Sequence, residues 1–83
     1  MKILYFAWLR ERVGLAEEDV TLPAHITDIA GLITWQRDRG PGFAAAFAPG
    51  GQVRCAVDQE FAGHDTSIAG AREVAFFPPV TGG

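Results

Sequence analysis

The two glycines that end the sequence, Gly82 and Gly83, are the residues best suited to chemistry. Glu73 is the last charged side chain, so the final stretch offers only apolar and small residues and one free carboxylate. Pro78 and Pro79 lack an N–H and stop any strand pairing that precedes them. The four residues after Pro79 can extend roughly 13 Å, and glycine lets a narrow channel approach the backbone closely. We expect this tail to carry its carboxylate into the active site of a partner.

The chemistry of such a tail begins with activation, because a free carboxylate is a poor electrophile. A separate ATP-using enzyme could adenylate the carboxylate of Gly83. A sulfur nucleophile would then give a thiocarboxylate, whereas a lysine amine would give an amide. A third possibility is a frayed tail with no chemical role, since chain ends are often disordered.

The remaining reactive side chains form no recognisable catalytic or metal-binding pattern. His25, His64 and Cys55 lack ligand spacing, and Ser67 is the single serine. Cys55 alternates with valines in a strand-like run, which favours a buried apolar role over a nucleophilic one. We therefore predict that the chain binds no metal and is not an enzyme on its own.

Composition sets the broad class of the protein. The chain has 83 residues, 48% of them hydrophobic, and a net charge of −3, as expected for one small globular domain. Its seven basic residues are scattered, so we predict no nucleic-acid partner. The apolar start is too short to span a bilayer, and a single cysteine fits a reducing compartment, which together predict a cytoplasmic protein without a membrane partner.

Periodicity predicts one helix and five strands. The helix has Thr27 as its N-cap, a stripe formed by Ile29, Leu32 and Ile33, and a stop at Gly40 and Pro41. Gly31 within it is interpreted as a close approach to the sheet. A short helical turn over 43–47 is predicted to cover the core, and Ile68 is predicted to enter the core from a loop. The predicted strands are 2–9, 17–22, 53–58, 60–63 and 73–77, with a turn over 10–14.

This order of elements predicts a mixed sheet crossed by one helix, with the first and last strands parallel at its centre. If Ile3, Tyr5 and Phe76 face the helix, other large apolar side chains face outward and mark an interaction surface. Alternatively, the segment 43–47 covers them. The predicted outward residues are Leu4, Phe6, Trp8 and Phe77.

The residues of the tail and of the first strand resemble a known family. The stretch from Glu73 through Phe76-Phe77-Pro78-Pro79-Val80-Thr81-Gly82-Gly83 is similar to the C-terminal signature of the small, sulfur-carrying subunit of molybdopterin synthase. The start, Ile3-Leu4-Tyr5-Phe6-Ala7 followed by Arg10-Glu11, is similar to the first strand of that family. Gly-Gly alone would suit a thiamine-pathway sulfur carrier or a ubiquitin-like modifier equally well. Departures fall at Gln36, at Asp58, and in the residues before the last strand.

The resemblance implies an α+β fold of the ubiquitin-like β-grasp type, with a domain over 1–78 and a flexible tail over 79–83. It also implies that an E1-like adenylyltransferase activates Gly83 with ATP and Mg²⁺, and that a sulfur donor such as a cysteine desulfurase system supplies the thiocarboxylate sulfur. The chain itself would bind no cofactor.

The resemblance further implies a heterotetramer with the large synthase subunit, in which the sulfur passes to cyclic pyranopterin monophosphate. The residues that would enter the large subunit are Pro79, Val80, Thr81 and Gly82. Phe6 and Phe77 would anchor the docking face.

Overall fold

The computed structural model describes residues 1–79, and these form a five-stranded mixed sheet with three helices. The strands follow the order β2-β1-β5-β3-β4. β1 and β5 are parallel neighbours at the centre, and each also pairs with an antiparallel neighbour. The strands are β1 (Lys2–Tyr5), β2 (Glu17–Asp19), β3 (Arg54–Val57), β4 (Glu60–Ala62) and β5 (Glu73–Phe77).

The core lies between one face of this sheet and the helix α2 (Ile29–Arg37). Alternation along the central strands turns Ile3, Val74 and Phe76 to this side, and each is fully buried. Ile29 and Leu32 from the predicted stripe of α2 are buried as well. The mixed sheet with one principal helix across it is the β-grasp arrangement, so the predicted fold is confirmed.

The first strand is shorter than its apolar run predicted. β1 ends at Tyr5, and the predicted turn over 10–14 is instead part of the helix α1 (Trp8–Val13), which ends at Gly14 with φ of 87°. Ala7 has φ of 55°, a positive value that is uncommon for residues other than glycine, at the point where the chain turns out of the sheet. In a run that is apolar on both faces, the spacing of apolar residues follows neither the strand period nor the helix period. The sequence therefore did not distinguish a strand from a strand followed by a helix.

The helix α2 begins one residue later than predicted. Its N-cap is Asp28, not Thr27, and Oδ1 of Asp28 accepts a hydrogen bond from the backbone N–H of Gly31 at 2.8 Å. The interpretation of Gly31 as a close approach to the sheet is wrong. A Cβ at Gly31 would lie 3.2 Å from Oδ1 of Asp28 and next to Ile26, so its nearest neighbours belong to the capping turn.

The short helix α3 (Pro41–Ala46) confirms the predicted helical cover of the core. Pro41 occupies its first turn, where a missing N–H costs nothing. Phe47 follows the helix, and its ring meets that of Phe76 edge-to-face with centroids 4.9 Å apart. The segment therefore packs on the helical side of the sheet and not on the opposite side.

The β3–β4 hairpin turns on Asp58 and Gln59, which have φ of 48° and 71°. Positive φ at both positions fits a tight hairpin whose twist matches that of its strands. Oδ1 of Asp58 accepts hydrogen bonds from the backbone N–H groups of Arg72 at 2.9 Å and Glu73 at 3.1 Å. The carboxylate of Asp58 thus ties the hairpin to the start of β5.

Ile68 reaches the core from the loop before β5, as predicted, and is 6% exposed. Among residues 1–79, no helix is long and apolar enough to cross a membrane.

Candidate functional site

Within residues 1–79, one side of the sheet carries no helix and presents a shallow apolar surface. We call it the outer face and define it by Leu4, Phe6, Ala56, Phe61, Ala75 and Phe77. Leu4, Ala75, Ala56 and Phe61 are register partners in turn across β1, β5, β3 and β4. The small side chains of Ala56 and Ala75 keep the middle of this surface low, so aromatic rings stand above it.

Two aromatic rings on the outer face lean on each other across β3. The centroids of Phe61 and Phe77 are 5.8 Å apart at an interplanar angle of 64°, an edge-to-face arrangement. Phe61 is nevertheless 84% exposed, the largest exposure of any large apolar side chain among residues 1–79. Burial of these rings against another surface would add hydrophobic stabilisation that the exposed pair lacks, so the pair is a candidate interaction site.

Phe6 extends the outer face beyond the end of β1. Its backbone N–H donates to the carbonyl of Phe76 at 3.1 Å, which continues the parallel ladder by one residue and brings Phe6 level with Phe77. Phe6 is 48% exposed, so the prediction that its side chain is turned to the outside is confirmed.

The other predicted outward residues have mixed outcomes. Leu4 and Phe77 lie on the outer face and are half-buried. Trp8 does not lie on the sheet, because the chain has already left β1 for α1, and the guanidinium of Arg12 stacks 4.5 Å from its ring centroid.

Phe61 is the functional candidate that the sequence analysis missed. It was assigned to a short edge strand without a facing direction. The structure pairs its neighbour Ala62 with the buried Cys55, which places Phe61 on the opposite side of the sheet. Only the sheet order shows that this side is uncovered.

A basic side chain lies within this apolar surface. Arg54 is the register partner of Phe77 and, with Phe61, lines a shallow depression at the corner of the outer face. Its guanidinium has no ion pair or side-chain hydrogen bond within residues 1–79. This corner is also the place where β5 ends and the chain leaves the sheet.

The tail leaves from the end of the central strand β5. Phe77 is the last residue of β5, and Pro78 and Pro79 follow it half-buried and outside any strand. The predicted site residues Val80, Thr81, Gly82 and Gly83 lie outside the described residues, as does most of the predicted tail 79–83. The structure therefore places the base of the predicted tail, Pro79, two residues after Phe77, which is level with Phe6 on the outer face, and their functional roles stay predictions.

A polar network on the helical side holds this sheet against the end of α2. The Tyr5 hydroxyl donates to Glu18 at 2.6 Å and accepts from Nε2 of the fully buried Gln36 at 2.7 Å. Arg39 pairs with both carboxylate oxygens of Glu18, at 2.6 and 2.8 Å, and its guanidinium lies over the ring of Phe43. The network thus supplies hydrogen-bond partners to Gln36, a polar side chain that is fully buried.

Charge and burial shift three pKa values in this network. The hydrogen bond from Arg39 lowers the pKa of Glu18, and the hydrogen bond to Glu18 raises that of Arg39. Burial is the main cause that raises the pKa of Tyr5 well above its usual range. Near neutral pH, Glu18 and Arg39 therefore stay charged and Tyr5 stays neutral, which suits a structural role.

The side chains most able to bind metal or to attack a substrate are not brought together. Within residues 1–79, no three of the His, Cys, Asp and Glu side chains are placed to hold a metal ion. Cys55 is buried, as predicted, its thiol donates to the carbonyl of Ala62 at 3.4 Å, and burial raises its pKa. The carbonyl of His64 accepts the N–H of Ala30 at 2.8 Å, which ties the loop to α2 through the backbone.

Comparison with known proteins identifies the class. The model of the ThiS family matches residues 3–83, and the chain belongs to this family. The chain is 35% identical over all 83 residues to the molybdopterin synthase sulfur carrier subunit of Escherichia coli (strain K12), covering 99% of that protein. The family resemblance seen in the sequence is therefore confirmed.

Two solved structures share the fold. A protein from Pyrococcus furiosus described as a molybdopterin converting factor, subunit 1, has a TM-score of 0.72 and 25% identity, with 95% of each chain covered. The structure of SAMP1 from Haloferax volcanii has a TM-score of 0.70 and 22% identity, with 100% of this chain and 98% of that chain covered. The second likeness concerns the fold alone.

Proposed function

We propose that this protein is the sulfur carrier subunit of a molybdopterin synthase. The observation that carries the proposal is the 35% identity, over the whole chain, to the subunit of that name from Escherichia coli. The family match also reaches residue 83, so it includes the Pro-Pro-Val-Thr-Gly-Gly segment.

The proposed chemistry takes place at the carboxylate of Gly83. An E1-like adenylyltransferase uses ATP and Mg²⁺ to form an acyl adenylate and releases pyrophosphate. The terminal sulfur of a donor persulfide, such as that of a cysteine desulfurase system, then displaces AMP to give an acyl disulfide, and a thiol reduces its S–S bond to leave a thiocarboxylate. In the large synthase subunit, this sulfur passes to cyclic pyranopterin monophosphate, and two such transfers complete the dithiolene of molybdopterin.

The part of this chain in the reaction is to present and deliver the tail. β5 is a central strand held on both sides by ladders, so Phe77 and the base of the tail have a fixed position. Docking through Phe6, Phe61 and Phe77 on the outer face would bring the tail to the partner. Pro79, Val80, Thr81 and Gly82 would then occupy a channel of the large subunit, and the catalytic groups would come from the partners.

The same proposal covers assembly and location. Because two sulfurs are needed for each product, two carriers would combine with two large subunits in a heterotetramer. The carrier would bind no cofactor and would act in the cytoplasm, where the activating enzyme has ATP.

The test is reconstitution followed by intact-mass analysis. The full chain is incubated with the adenylyltransferase, ATP, Mg²⁺ and a sulfur donor, and fragmentation maps any exchange of oxygen for sulfur to Gly83. Variants that lack Gly83, or that carry one added residue after it, should keep the melting temperature and lose sulfur transfer to the pterin. Unchanged transfer by either variant would overturn the proposal.

Two further measurements separate the alternatives. An amide between Gly83 and target lysines in cell extracts would instead indicate a protein modifier. A thiocarboxylate that the large subunit cannot discharge would indicate a sulfur carrier of another pathway, such as the thiamine type.

A further inference from the structure

At the corner where β5 ends, the side chain of Arg54 is a cation that forms no ion pair with any other residue of 1–79. It is exposed at the first position of β3, and no carboxylate pairs with it within residues 1–79. By contrast, the guanidinium of Arg39 pairs with Glu18, and that of Arg12 stacks on Trp8. Arg54 is thus available for a contact with another molecule.

The position of Arg54 makes it part of any surface that receives the tail. Its register partner is Phe77, two residues before Pro79, which corresponds to roughly 7 Å along the chain. The four residues after Pro79 reach at most about 13 Å, so a partner that accepts Gly83 must come close to this corner. Arg54 lines one depression with Phe61 and Phe77, so a partner that covers these rings also covers the guanidinium.

If a partner covered Arg54 without forming new hydrogen bonds to it, the lost hydration of the guanidinium would weaken docking. Removing a guanidinium from water costs several kcal/mol unless hydrogen bonds and an opposite charge replace the water. A carboxylate matches the guanidinium best, because two parallel N–H groups can donate to its two oxygens. A partner surface that is purely apolar at this corner would therefore bind less tightly than one that carries a carboxylate there.

We infer that Arg54 is a specificity-determining residue, and that the protein which receives the tail carries an aspartate or glutamate opposite it, beside an apolar patch that covers Phe61 and Phe77. The ion pair fixes the rotation of the carrier on its partner, since the apolar contacts by themselves are non-directional. This inference rests on the proposed function, because it takes the large synthase subunit as the partner.

The charge-reversal variant Arg54→Glu tests the inference, with Arg72→Glu as its matched control. Arg72 is also exposed but lies before the first residue of β5, at the opposite end of the strand, and both variants change the net charge equally. Binding of each full-length variant to the large synthase subunit of the same organism is measured by calorimetry at low and moderate salt. We expect Arg54→Glu to weaken binding at least about tenfold and Arg72→Glu to change it by less than about twofold.

Rescue by the partner distinguishes a specific pair from a general charge effect. Each exposed acidic residue around the apolar patch of the large subunit is changed to lysine in turn, and one of these variants should restore the binding of Arg54→Glu. Arg54→Gln, which keeps the polar stem, should show an intermediate loss if Arg54→Glu folds poorly. Binding of both Arg54 variants equal to that of Arg72→Glu would overturn the inference.

The two proposals fail differently. If the unmodified carrier does not bind the large subunit at all, both the proposed function and this inference fail. If it binds and transfers sulfur, but the Arg54 variants bind equally well, only the role of Arg54 is refuted.

Discussion

The substitution Glu18→Gln tests the network that joins the sheet to the end of α2. In the native protein, both carboxylate oxygens of Glu18 accept from Arg39, and one also accepts from the Tyr5 hydroxyl. A glutamine keeps the shape but has one oxygen and one NH₂ group. That NH₂ would face a donor of Arg39, so the substitution removes a charge and leaves one hydrogen bond unmade.

The size of the effect follows from the partial burial of the pair. The side chains of Glu18 and Arg39 are 14% and 24% exposed, between the fully exposed and fully buried cases. Exposed ion pairs contribute about 0–1 kcal/mol, and breaking a buried one costs about 3–5 kcal/mol. We expect Glu18→Gln to lower the free energy of unfolding by about 1–2 kcal/mol, which lowers the melting temperature of a domain of this size by roughly 4–16 °C.

The pH dependence provides a second check. Arg39 lowers the pKa of Glu18 below its ordinary value of 4.5 in the folded state. The stabilisation is therefore complete above the unfolded pKa and is lost as the pH falls through the folded one. The melting temperatures of the native protein and Glu18→Gln should differ most near pH 7 and converge as the pH falls below 4.5.

A matched control separates this network from surface charge. Glu17 is exposed and pairs with the exposed Lys2 at 3.1 Å, so Glu17→Gln should leave the melting temperature nearly unchanged. Thermal unfolding followed by circular dichroism across the pH series measures all three proteins. Equal melting temperatures for the two variants near neutral pH, or a gap that persists at low pH, would refute the reasoning.

Two further predictions concern packing and docking. In Gly42→Ala, the added Cβ would overlap the backbone oxygen of Arg12, so α1 and α3 must separate, and we expect a loss of about 1–3 kcal/mol in the free energy of unfolding. Gly63→Ala is the control, because its Cβ would meet only a side-chain oxygen at 3.3 Å, and equal denaturant midpoints for the two would contradict the prediction. Phe6→Asp should abolish binding to the large synthase subunit with little change in melting temperature, since Phe6 is 48% exposed. A large fall in melting temperature would mean that Phe6 belongs to the core.

The outer face shows which features a local sequence pattern predicts and which depend on residues that are distant in the chain. Phe77 was assigned correctly because alternation along β5 is a property of the strand itself, with Val74 and Phe76 buried on the other side. Phe61 was missed because its exposure depends on which strands flank β4 and on the absence of a covering helix on that side of the described sheet.

Sequence alone determined the features that depend on neighbours along the chain. The apolar stripe of α2, the alternation of β5 and the signature of the last residues are local patterns, and they fixed the fold class and the family. The buried position of Cys55 followed in the same way from the valines that alternate with it.

Only the tertiary structure decided where the first apolar run breaks, which residue caps α2, and which groups form hydrogen bonds with the buried amide of Gln36. β1 ends at Tyr5 because α1 must turn back to bury Leu9 against the core, a constraint that acts between distant residues. The buried Gln36 is tolerated because the Tyr5 hydroxyl accepts a hydrogen bond from its amide nitrogen and Arg39 donates one to its amide oxygen. Tyr5 is far away in the sequence, and Arg39 lies beyond the end of α2. Burial and hydrogen bonding are properties of contacts in space, so a linear pattern shows which residues need partners but not which partners the fold supplies.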